Sequence, residues 1–153
     1  MSKIVKVTAC VLLVPGIVFG LYIIMHGHLT PGGGFQGGAV IATISALLIV
    51  AYSDEIRGIM SRDILSIMES IALTAFIMLA LLGLSATFFN NFMVNEGGLF
   101  GNMVSGINPG DLNTGGVIPL MNMAVGLEVY SALSLILVMM YFGSKKEVLE
   151  DAG

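Results

Sequence analysis

Residues 7–25 read VTACVLLVPGIVFGLYIIM. The run holds no charged side chain, and it is unbroken apolar rather than alternating. At about 1.5 Å per residue a helix of this length crosses a hydrocarbon core of roughly 30 Å. A barrel strand would alternate between lipid and lumen, so helix is the spanning element this run can form. Three further segments qualify on the same grounds, at about 34–52, 65–89 and 117–142. The sequence therefore predicts an all-α integral membrane protein with four transmembrane helices, a single membrane domain over 1–153, multi-pass in the cell membrane.

Composition excludes the other classes. Hydrophobic residues make up 56% of the 153 and charged residues 10%, against roughly 25% charged in soluble domains. Mean hydropathy is +0.96. So few charges cannot cover the surface of a soluble enzyme, and a disordered chain or a disulfide scaffold is excluded as well. Six basic and ten acidic residues give a net charge of -4, without the basic patch that nucleic acid needs. The single cysteine, Cys10, carries no information about redox compartment. Lys3 and Lys6 before the first apolar run suggest a signal peptide, but the run exceeds the ~7–15 residues of such a segment and no small-residue cleavage site follows Met25. A retained helix is expected.

The basic residues are Lys3, Lys6, Arg57, Arg62, Lys145 and Lys146. With four spans, all six fall on the side that holds the termini and the 53–64 loop. The other side, 26–33 and 90–116, has none. The positive-inside rule then predicts cytoplasmic termini. The 53–64 loop reads as a solvated turn of mixed charge. The 90–116 loop is long and rich in Gly and Asn, which points to a mobile segment or one folded on a partner.

The second span opens on Pro31-Gly32-Gly33-Gly34-Phe35-Gln36-Gly37-Gly38. Gly32, Gly34 and Gly37 match G-x-G-x-x-G, but no strand precedes them, so a dinucleotide site is rejected. Gly34, Gly38, Ala42 and Ala46 recur every four residues, a small-residue stripe that lets another helix approach closely in lipid. Gly16 and Gly20 form a second such pair, and Pro15 predicts a kink in the first helix. Two readings stand: the glycines pack helices, in this chain or against a neighbour, or the glycine-rich turn lines an ion or water path.

The stretch His26-Gly27-His28-Leu29-Thr30-Pro31-Gly32-Gly33-Gly34-Phe35-Gln36-Gly37-Gly38, between two hydrophobic helices, resembles the motif of the MnhB/MrpB family, small subunits of Mrp-type multisubunit Na+/H+ antiporters. The motif covers about a tenth of the chain, and the four-span layout extends the likeness over nearly all of it. Gly115-Gly116-Val117-Ile118-Pro119-Leu120-Met121-Asn122 is similar to archaeal-type members. The resemblance implies an accessory membrane subunit, with other membrane subunits of the same complex, the lipid bilayer, and Na+ or H+ as its partners. Related modules also belong to membrane-bound hydrogenases and respiratory complexes.

Two carboxylates fall inside spans. Glu128 lies about 16 Å down the fourth helix from Val117, near mid-membrane, and Glu69 roughly 6 Å inside the third. A charged acid at mid-depth costs about 2.5–3.5 kcal/mol, so it faces protein or water. Glu128 shares its face with Ala124, Ser131 and Ala132. It is either a structural clasp between helices or a stop on a proton or Na+ route. The same pair of readings applies to Glu69, which can also reach the interface by snorkelling. A basic partner for either has to come from another subunit. His26 and His28 alone make a poor metal site; shaping the outer turn or sensing outside pH fits them better. No catalytic set can be assembled, and neither a cofactor nor a metal site is expected. The eleven methionines read as adaptable packing.

The leading expectation is thus a non-catalytic subunit of a cation/proton antiporter-type complex, contributing to Na+/H+ translocation and helix scaffolding. The alternative is a purely structural anchor of a redox complex, such as a hydrogenase, with no ion path. A stand-alone carrier fits worse, since four spans without a repeat leave little room for alternating access.

Overall fold

A computed structural model describes residues 2–56, 60–85, 87–103 and 111–151. It contains four long helices: α1 (Lys3–Met25), α2 (Gly34–Ile56), α3 (Arg62–Leu82) and α4 (Ile118–Asp151), with one 3-10 turn at Gly83–Ser85. No strand occurs among the described residues. Each helix contains a stretch long and apolar enough to span a membrane: Lys3–Met25, Gly34–Tyr52, Arg62–Leu82 and Ile118–Gly143.

Local chemistry sets the helix ends. Ser2 caps α1, its hydroxyl accepting from Val5 N at 3.5 Å. Ser61 caps α3 by accepting from Ile64 N at 3.4 Å, with Asp63 in the first turn where the helix dipole favours it. This cap starts α3 three residues before the expected Leu65. The expected end at Phe89 is also corrected. Helix α3 stops at Leu82, and the chain folds back on itself: Phe89 N donates to the Ala80 carbonyl at 3.3 Å, and a methyl on Gly83 would lie 2.7 Å from both backbone N and O of Asn90. Phe88 and Phe89 therefore lie outside the helix although they extend its apolar run. Helix α4 continues past the expected Phe142, because the helix outlasts the apolar stretch. Helix α1 runs unbroken through Pro15; the non-helical backbone falls in α2, at Tyr52 (φ −128°, ψ 32°).

The helices pack in the order α1, α2, α4, α3, with a smaller contact between α1 and α4. Among the described residues the backbone of α3 comes close to that of neither α1 nor α2. The result is an open row with α1 and α3 at its edges. Much of α1 faces outward, with Val11, Val14, Val18 and Phe19 exposed, as lipid or protein neighbours require. At the basic end, Ile49, Met60, Leu65 and Val138 form an apolar cluster, flanked by Leu135, Leu137, Tyr141 and Phe142. There too, Lys6 pairs with Glu55 at 3.0 Å and lies 4.7 Å from the Tyr52 ring centre, while the Tyr52 hydroxyl meets Cys10 Sγ at 3.0 Å. This cluster ties α1 to α2 where the helical geometry breaks.

Candidate functional site

The glycine-rich turn joins α1 to α2 at the end opposite the termini. His26 closes α1: its backbone N–H donates to the Tyr22 carbonyl at 3.0 Å, and its ring stacks on Tyr22 at 3.9 Å between centroids. Leu29 N and Thr30 N then donate back to the His26 carbonyl. Gln36 Oε1 accepts from Gly33 N at 3.0 Å and so fastens the entry to α2. Gly32, at φ +120°, is the position in this turn whose backbone demands glycine.

The glycines of α2 face two neighbours. A methyl on Gly37 would meet Ile24 and, at 2.5 Å, the Gly20 carbonyl, while one on Gly16 would meet Ile44. This is the α1–α2 crossing. A methyl on Gly38 would lie 2.6 Å from the Gly126 carbonyl and 3.0 Å from Val129 Cβ, and one on Gly34 would meet the Asn122 carbonyl and, at 2.9 Å, Gly126 N. This is the α2–α4 crossing, and the buried Ala42 continues the stripe. Asn122 closes the turn from above: methyls on Gly27 and Gly33 would lie 2.7 Å from its Nδ2 and 3.3 Å from its Oδ1. Pro31 is exposed.

The described parts of the connection between α3 and α4 fold back over this end. Asn91 bridges the chain, donating to the Gly115 carbonyl at 2.9 Å and accepting from Val117 N at 2.8 Å. Asn113 accepts from Phe100 N at 2.6 Å. His28 fits beneath, its Cδ2 3.0 Å from where a methyl on Gly115 would stand, and both ring nitrogens are enclosed without a well-aligned hydrogen bond, the Asp111 and Met25 backbone being near but poorly placed. Burial lowers the His28 pKa below 6.5 and His26 pushes the same way; the backbone carbonyls of Asp111 and Met25 favour the charged ring but do not prevail.

Glu128 stands about 15 Å along α4 from its start. It is half-buried, and among the described residues no donor or cation lies within bonding distance of its carboxylate. Ser131, one turn on, is fully enclosed and donates to the Leu127 carbonyl at 2.8 Å. Glu69 is half-buried on α3, about 10 Å from the helix start. The two acids are not brought together. Helices α3 and α4 are antiparallel, so Glu69 lies about 9 Å nearer the basic end than Glu128. Nor does either acid line the large groove of about 790 Å³ between α1 and α3. That groove has apolar walls, including Leu21, Ile24, Ala75, Leu79 and Leu127, with Tyr130 its single hydroxyl.

Asn122, Asn91 and Asn113 organise this end and were missed as functional positions in the sequence. A lone asparagine inside an apolar helix was the available signal for Asn122; for the loop asparagines no spacing rule applies. No group of three metal-ligating side chains occurs among the described residues.

One family model matches most of the chain. Residues 4–135 match the domain related to the MnhB subunit of Na+/H+ antiporters. An uncharacterized protein of Methanocaldococcus jannaschii is 31% identical over 137 residues, covering 87% of this chain and 50% of that protein. A subunit of the membrane-bound sulfane sulfur reductase, an archaeal respiratory membrane complex, superposes with a TM-score of 0.70 at 30% identity, over 92% of this chain and 58% of that one. The chain thus spans half the length of the first relative and a little over half that of the second. With its glycine turn, its four membrane helices and a match over most of its length, this chain belongs to the family of domains related to the MnhB subunit of Na+/H+ antiporters.

Proposed function

We propose that this chain is a non-catalytic membrane subunit of an antiporter-like complex, and that Glu128 serves a Na+ or H+ route through that complex. The observation that carries this reading is an acid near mid-span of α4 with no partner among the described residues. Leaving it so costs about 2.5–3.5 kcal/mol in lipid, which a water-filled path, a proton or a neighbouring subunit would offset. The glycine crossings serve as the rigid scaffold that fixes α4, and hence Glu128, against α2. The parent assembly is either a stand-alone antiporter or a redox-driven respiratory complex; the likeness to a subunit of a respiratory membrane complex favours the second.

The test is Glu128→Gln, which keeps size and hydrogen bonding but removes charge and titration. It should leave the complex assembled and lower ion-coupled activity in membrane vesicles, normalised to assembled complex. Normal coupling across a pH series would leave only the scaffold role. In that case Glu128→Leu, which strands the partner group, should weaken assembly instead.

A further inference from the structure

Ser134 is 0% exposed, and its Oγ has no hydrogen-bond partner. Ser131, one turn away, is equally enclosed but donates to the carbonyl four residues earlier, at 2.8 Å. Ser134 leaves the equivalent Tyr130 carbonyl unused. An enclosed hydroxyl without a partner is rare and calls for one.

The register of α3 against α4 brings one candidate to its level. Leu65 and Val138 share one apolar cluster at the basic end, and Leu79, Leu82, Leu120 and Met123 line one groove at the other. Each step up α3 therefore matches a step back along α4. Four residues on from Leu65 is Glu69, and four back from Val138 is Ser134, each about 6 Å along its helix. The faces agree as well. Glu69 lies between buried Leu65 and Ala72, and Ser134 between buried Val138 and Ser131, at the same offsets of four and three. Glu69 and Ser134 thus fall at about one level of the α3–α4 seam, with no bond between them in this structure.

We propose that Glu69 and Ser134 form a proton-binding clasp between α3 and α4. In the ionised state the Ser134 hydroxyl donates to the carboxylate. On uptake, a proton from water bonds to a Glu69 oxygen, the new O–H donates to Ser134 Oγ, and the serine hydrogen turns to the Tyr130 carbonyl. One O–H bond forms on Glu69, and the serine keeps its own hydrogen. A hydroxyl suits this position because it is donor and acceptor alike, so the seam stays bonded in both states. Other titratable groups stand further off. Arg62 and Asp63 lie in the first turn of α3, and Tyr130 and Tyr141 lie about one and two turns either side on α4. On α2, Tyr52 and Glu55 are engaged with Cys10 and Lys6. The inference rests on the ion-path reading only for what the proton is used for.

Infrared difference spectra of the intact complex in liposomes, recorded over a pH titration, test the clasp. E69Q should delete one carboxylic C=O band. S134A, which removes a single enclosed atom, should move that same band to higher frequency, and E128Q should leave it in place. A band unmoved in S134A, or no band lost in E69Q, overturns the clasp. If E69Q fails to assemble, S134A alone decides, by shifting one carboxyl band or none. Normal ion coupling in E128Q alongside a serine-dependent Glu69 band removes the Glu128 route and keeps the clasp.

Discussion

Gly38→Leu puts bulk where α2 and α4 meet backbone to backbone. Even the first carbon of the new side chain would stand 2.6 Å from the Gly126 carbonyl and 3.2 Å from Tyr130 N, where ordinary contact begins at 3.4 Å. The obstacles are main chain, so no rotamer change relieves them. The seam must open by about 0.8 Å, and a gap of that size forfeits roughly a quarter to a half of each dispersion contact across it. In lipid no hydrophobic force holds the helices together meanwhile. Overpacking of this kind costs about 1–3 kcal/mol, and a leucine belongs at the upper end. Replacing glycine inside a helix returns up to about 1 kcal/mol of propensity. The net loss is about 2 kcal/mol, or roughly 30-fold in the equilibrium between packed and separated helices. Gly143→Leu is the matched control: it gains the same propensity and meets nothing within 4 Å. Ile41→Leu controls for a change of shape alone. The assay is subunit retention in the complex on native gels across a series of denaturing-detergent concentrations. Equal retention of Gly38→Leu and Gly143→Leu would refute the reasoning.

Three further outcomes follow from the same geometry. A cysteine at exposed Asn102, with Cys10 replaced by serine, should react with an impermeant thiol reagent from outside the cell; labelling only from the cytoplasmic side would reverse the orientation drawn from the basic residues. The lowered pKa of His28 means that the folded protein favours the neutral ring, so the seat of the outer loop should weaken as pH falls below 6.5, where the unfolded chain takes up the proton more readily. Protection of the amides at 111–116, taken relative to the intrinsic exchange rate at each pH, should fall on acidification, and His28→Gln should flatten that fall; protection independent of pH in the wild type would count against it. Glu55→Gln should cost no more than about 1 kcal/mol of stability in thermal unfolding, since its partner Lys6 and Glu55 itself are solvent-accessible.

The fold was legible because lipid asks so little of a helix beyond length and apolarity. The same simplicity misplaced the end of α3. Hydropathy sums residues without regard to chain direction, so Leu84, Phe88 and Phe89 counted as span although the backbone doubles back over Gly83. The Ser61 cap, a local hydrogen bond, was a readable start that hydropathy cannot register. The stripe Gly34–Gly38–Ala42 was visible by its spacing of four, but its partner face on α4 was not, because Gly126 has no such repeat around it. Glu128 and Glu69 were visible as acids in apolar runs. Their depth could be counted from the sequence, whereas the enclosure of Ser134 depends on a register between helices that no linear pattern records.

The order α1, α2, α4, α3 also bears on how the chain is made. A polypeptide enters the membrane from its N-terminal end, so α1 and α2 can zip together along their glycines as soon as both are inserted. Helix α3 then arrives without its main crossing in this chain, for α4, against which it packs, has yet to emerge. Until α4 slides in between, the face that carries Glu69 is open to lipid or to whatever insertase or sister subunit stands guard there. The long 86–117 connection lengthens that wait, which makes biogenesis, rather than the finished assembly, the stage at which this subunit is most exposed to misassembly.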